Sequence, residues 1–247
     1  FCFNVNLAPR KTSAVISLHG PQAHEQLEAV LSGGTSILVN GVASVLPLAA
    51  SSKHVGIAIC ENNSCSRDVA QKSAAILSAA KSLGPHVIRC GAIPIEIKTR
   101  LVESVVFTVG EFGCGTWPAL SARQSALYHR AIMTAIRDVI GHQRWKKIRG
   151  SSDAHACVVG GFACPHYRLK VQRIRVLCQV VARGCWQLLS LCAATSKGKS
   201  CWFHAVSADL RWLSSRCGKL SELRGAHMSK WMDLLASQPK YLLRMAK

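Results

Sequence analysis

SARQSALYHRAIMTAIRDVIG, residues 121–141, has the best-marked boundaries of any segment in the chain. Ser121 and Gln124 are spaced as a capping box, in which each side chain satisfies a backbone N–H of the first turn. Gly141 stands where a glycine ends a helix. Between them Leu127, Ala131, Ala135, Ile136 and Val139 recur at helical spacing and predict one buried face.

Working outward, the pattern stays helical on both sides. Upstream, residues 67–83 place Val69, Ile76, Leu77, Ala80 and Leu83 on one stripe. A further helix is expected to start at Pro94, since proline suits a first turn, and to carry Ile97, Leu101 and Val105 inward. Downstream, residues 142–166 contain Gly150, Gly160, Gly161 and Pro165 and read as a linker. Residues 167–195 read as one long helix or two broken near Gly184, followed by helices at about 201–215 and 226–237.

The first sixty residues differ. Strands are expected at Phe3–Leu7 and 14–18 around the turn-like residues 8–12, then a short helix at 22–31. The Asn40-Gly41 dipeptide between 37–39 and 42–46 is a hairpin signal, because both residues tolerate positive φ. Residues 53–59 read as one further strand. The expected fold class is therefore α+β: a small β-containing part (1–60), a helical region (61–141), a linker (142–166) and a basic helical region (167–247).

With 247 residues, 49% hydrophobic and 17% charged, the chain can bury a sizeable core. The twelve cysteines are scattered through a long chain and read mostly as reduced core residues of an intracellular protein, nuclear or cytoplasmic. No apolar run approaches the ~18 residues of a membrane span, because Asn40, Gly41 and Pro47 interrupt residues 37–50. No basic start leads into an apolar core as in a secretory leader. The opening at Phe1, in mid-strand, reads as a fragment or processed product.

Charge is distributed unevenly. Residues 1–140 hold 12 Lys and Arg against 8 Asp and Glu, a net of +4; residues 141–247 hold 19 against 4, a net of +15. An excess this large in one half points to a polyanion, nucleic acid being the usual one, or else to a solvated basic surface. Arg168, Lys170, Arg173 and Arg175 alternate with Leu169, Val171, Ile174 and Val176, so that helix either tracks a nucleic-acid backbone or presents a solvated face over a core.

Three ordered stretches carry a family resemblance. Val5-Asn6-Leu7-Ala8-Pro9-Arg10-Lys11-Thr12 is similar to the L-N-P-x-K-T segment that ends the palm of non-LTR retrotransposon reverse transcriptases. Lys53-His54-Val55-Gly56 resembles the segment that family uses as its primer grip, with Ser52 and Val55 in place of the usual aromatic residue and Leu. Residues 95–107, followed by Gly113-Cys114-Gly115-Thr116-Trp117, resemble the thumb pattern leading into Y-G-x-x-T-W, with Phe112 for the Tyr. The resemblance covers a little over half the chain and implies the end of a palm, a thumb, and a template–primer partner of RNA and DNA.

By that resemblance, Lys11 lies near the incoming nucleotide's phosphates, or else is a turn lysine in solvent. Lys53, His54 and Gly56 press on the primer backbone, where a glycine allows close approach, or else form an ordinary strand. Trp117 reads as a core anchor closing the thumb, or else as a base-stacking platform. The family transfers nucleotides with two Mg2+ held by aspartates, including an adjacent pair. Here Asp68, Asp138, Asp153, Asp209 and Asp233 are all isolated, so the metal site would belong to a part preceding Phe1 and this chain alone is expected to be inactive.

Two other signals are weaker. His155, Cys157, Cys164 and His166 have zinc-ligand chemistry, but their one-residue spacers are too short for the usual C-x2-C hairpin. Residues 196–200, Ser-Lys-Gly-Lys-Ser, end like a phosphate-binding loop but have Ala193 where its first glycine belongs. A degenerate retroelement product and an independent basic RNA- or DNA-binding protein remain as alternative readings.

Overall fold

The computed structural model describes residues 15–16, 21–33, 36–39, 42–45, 51–54, 56–60, 64–141, 152–194, 201–238 and 241–245. Lys11, the expected strand at 3–7, the turn at 8–12 and the Asn40-Gly41 dipeptide lie outside them. The fold is α+β, and the chain divides into two compact units, Phe1–Asp68 and Val69–Lys247.

In the first unit, α1 (Ala23–Gly33) precedes two antiparallel hairpins. Strands β1 (Ser36–Val39) and β2 (Val42–Val45) pair with Val39 opposite Val42, which leaves a two-residue connection as the Asn-Gly signal requires. The single strand expected over 53–59 is instead a second hairpin, β3 (Ser51–His54) and β4 (Ile57–Cys60), with His54 opposite Ile57. Gly56 explains the difference: its φ of +79° reverses the chain, a conformation costly for residues with a Cβ. The Ala58 N–H donates to the buried Asp68 carboxylate at 2.9 Å.

The second unit is helical. α2 (Ser66–Leu83) leads through a π-helical turn, Gly84–Ile88, to α3 (Ile95–Leu101), a π-helical segment, Val102–Phe107, and α4 (Thr108–Glu111). Residues 95–111 therefore form one continuous helical rod, with Pro94 as its N-cap rather than in its first turn. The buried positions of this rod are Thr99, Val102, Val106, Phe107 and Gly110, whereas Ile97 and Val105 are exposed. Apolar residues occur all round this segment, so periodicity alone leaves its phase open. Leu77 and Leu127 are likewise exposed, each one step from the stripe that is buried.

A 3₁₀ turn (Cys114–Thr116) joins the rod to α5 (Ala122–Ile140), whose Ser121–Gln124 capping box forms as expected. Trp117 is buried edge-on against Tyr128, with ring centres 5.3 Å apart. In the expected linker, residues 153–160 form α6 (Asp153–Gly160), capped by Ser152 and packed on α5. The Thr99 hydroxyl reaches the Gly160 carbonyl at 2.8 Å, joining α6 to the rod.

α7 (Pro165–Ala182) is the hub. It packs against the 114–116 turn, α5, α8 (Trp186–Ala194), α9 (Trp202–Arg216), α10 (Met228–Ser237) and α11 (Tyr241–Met245). The helix breaks at Gly184, with φ +66°, and a 3₁₀ stretch, Gly218–Leu223, follows α9. Ile174, Leu177, Val206, Leu210, Trp231 and Leu235 centre the core that α7 shares with the later helices. The described cysteines are free thiols; burial pushes Cys114 up to about 12 and Cys178 up to about 11. Among the described residues no helix is long and apolar enough to cross a membrane.

Gly115 sets the approach of α7 to the 114–116 turn. A Cβ there would lie 2.6 Å from both the Gln172 carbonyl oxygen and a Val176 methyl. The Trp202 indole N–H donates to the Gly115 carbonyl at 2.7 Å from the other element. Gly115→Ala is therefore expected to cost about 1–3 kcal/mol, the range of overpacked cores. Gly91→Ala, with nothing within 4 Å of the new Cβ, serves as the matched control. Urea unfolding checks this; equal midpoints for the two variants would show that α7 does not press on residue 115.

Candidate nucleic-acid interface

The basic helix α7 is not one stripe. At 3.6 residues per turn, Arg168, Val171, Gln172 and Arg175 (i, i+3, i+4, i+7) share a face, and Arg173 points well away from it. That shared face lines an open groove of about 1000 Å³. Its other walls come from the rod, through Glu103, Glu111 and Phe112, and from α9, through Trp212 and Arg216.

Two of the four cations expected to meet phosphates are spent inside the protein. The Arg168 guanidinium donates to Glu103 at 2.9 Å and also to Glu111, and it lies 4.4 Å from the centre of the Phe107 ring. Burial works against its charge, but Glu111 and Glu103 overcome this and hold its pKa above the ordinary arginine value. Gln172 donates to the second Glu111 oxygen at 2.6 Å. Arg173 is buried and grips Asp209 with two bonds, of 2.6 and 3.1 Å. Both arginines thus tie helices together, because a charge removed from water persists only when paired.

The other two, Lys170 and Arg175, make no ion pair among the described residues. Arg175 lines the groove, and among the described residues no carboxylate pairs with it or with the exposed Arg216. Lys170 lies 4.8 Å from the centre of the Trp212 ring. Burial lowers the Lys170 pKa, with Asp209 opposing the shift and Arg173 and Arg216 adding to it. Tyr167 stacks on Trp212, ring centres 5.2 Å apart and planes within 19°. Across the groove Phe112 is half exposed, with the Lys72 ammonium 5.1 Å from its ring.

Lys53 is exposed on β3, and His54 and Gly56 belong to the same hairpin; these lie in the first unit, while the described residues lining the groove belong to the second. Of His155, Cys157, Cys164 and His166, the structure brings the Cys157 and Cys164 thiols together, with the buried Cys157 Sγ also 3.8 Å from the Met133 sulfur, while His155 and His166 are exposed. Among the described residues no three potential ligands converge for a metal ion. Asp68 accepts the Ala58 N–H, Asp153 holds Arg137 and His129, and Asp209 holds Arg173.

Tyr167, Trp212 and Arg216 line the groove but carry no motif in the sequence. A partial signal was present, since Trp212 and Arg216 are four apart on one helix. Their meeting with Tyr167 and Arg175 depends on how α9 docks on α7, which spacing does not encode.

Arg173→Met is expected to destabilise the fold by roughly 3–5 kcal/mol, because Asp209 is left buried and unpaired. Adding Asp209→Leu should recover most of that loss in chemical denaturation. A double variant as unstable as the single would show that the two side chains do not act as a pair. Comparison with protein-family models, with curated proteins and with solved structures returns no match for this chain.

Proposed function

We propose that this chain is the template–primer-handling part of a reverse transcriptase of the non-LTR retrotransposon kind, one that grips nucleic acid without transferring nucleotides. One observation carries the reading: Arg175 and Arg216 face an open groove with no carboxylate partner among the described residues. They do so in the half of the chain whose net charge is +15. Unneutralised cations along a groove are what a phosphate backbone displaces its counterions to meet.

The ordered motifs support the same assignment. Lys53 and Gly56 flank the tip of a tight hairpin, which suits a close backbone contact. The segment at 113–117 forms the turn on which the hub helix rests. The partners are an RNA template and a DNA primer, which places the protein inside the cell, in nucleus or cytoplasm. The catalytic Mg2+ and its aspartates belong, in this reading, to an upstream part of the enzyme. A second reading, an independent nucleic-acid-binding module, is favoured by one fact: the described residues that line the groove all belong to the second unit.

Filter binding to a primer–template duplex tests the proposal. Affinity should fall by orders of magnitude between about 50 and 200 mM salt. Arg175→Glu with Arg216→Glu should lower the salt slope by about two. Lys53→Glu should weaken primed template more than unprimed strand; equal losses would favour the independent module. Weak binding with little salt response would contradict both readings.

A further inference from the structure

Resting on the nucleic-acid reading above, we infer that the groove takes a single strand and that the outer ring of the Tyr167–Trp212 stack is the platform for an unpaired base. Trp212 is anchored on the main core, and Tyr167 lies flat on it with 41% of its surface open. An aromatic ring held at a fixed angle and left half in water has paid its ordering cost before a ligand arrives. Phe112, 51% exposed, gives the groove a second ring.

The charges around the rings select the ligand. Arg175 and Arg216 line the groove beside the stack, and Lys170 sits over Trp212. Arg168 binds both carboxylates of the described groove lining, Glu103 and Glu111, and with Arg175 and Arg216 the lining carries three cations against two anions. What remains for a ligand is therefore positive charge next to exposed aromatic faces. An anionic chain that also carries flat rings satisfies both, and in a duplex those rings are stacked on each other and withheld. Single-stranded nucleic acid is the macromolecule with that combination, and because every base has a face to stack, the platform predicts tolerance of base sequence.

Three ligands decide the matter: a ten-nucleotide thymidylate, a ten-unit abasic strand of equal charge, and a blunt duplex of equal length, each titrated by tryptophan fluorescence. The unmodified chain should bind the thymidylate about tenfold or more tighter than the abasic strand, the scale of one base–aromatic stack. Tyr167→Leu should erase that preference and leave duplex affinity unchanged, while Tyr167→Phe, which keeps the ring, should retain it. Equal binding of thymidylate and abasic strands by the unmodified chain would overturn the platform while leaving the electrostatic grip intact. Failure to bind any of the three would overturn the platform and the nucleic-acid reading together. An acidic peptide that displaces the thymidylate at equal concentration would also overturn it, in favour of a protein ligand.

Discussion

The Arg168 guanidinium, held between Glu103 and Glu111 over the Phe107 ring, is the interaction on which the second unit turns. Removing that charge from water is costly, and only carboxylates brought from another element offset it. The ion cluster therefore fixes both the register and the rotation of α7 against the rod of residues 95–111. Gly115 fixes the remaining degree of freedom, the distance, because the hub helix rests where its Cβ would be. With rotation and distance set, Ile174, Leu177 and Val181 must point into the core shared with α9 and α10.

The same rotation sorts the cations by task. Arg173, turned inward, is consumed by Asp209, and Arg168 by the two glutamates. Arg175, on the outer face, is left for the groove, where Arg216 joins it from α9. A net charge of +19 is thus a poor guide to which residues meet a polyanion. Burial and pairing decide which cations are left without a carboxylate, and they separate Arg168 from Arg175 seven residues on.

Much of the fold was legible in the sequence where local chemistry is decisive. The Ser121–Gln124 box, Gly141, the Asn-Gly hairpin and the break at Gly184 each depend on backbone preferences of a few residues, and each falls where expected. Periodicity failed where apolar residues surround the helix: Ile97, Val105 and Leu127 were assigned inward and stand in solvent. The strand expected over 53–59 was misread because one glycine in an apolar run gives no sign of whether its φ is positive. The α6 helix was hidden by glycines at its end, which cap it rather than unravel it. Of the site, Arg175 and Lys170 were legible as cations near a core helix, but Tyr167, Trp212 and Arg216 converge only through tertiary packing.

The proposed binding of a single strand along the groove face of α7 is open to one direct measurement. A short single strand carrying 5-iodouracil, bound to the protein and irradiated, forms adducts with the aromatic side chains that its bases touch. Peptide mapping should place those adducts at Tyr167 or Trp212, with Phe112 the next site. Adducts confined to residues outside the groove would contradict the account.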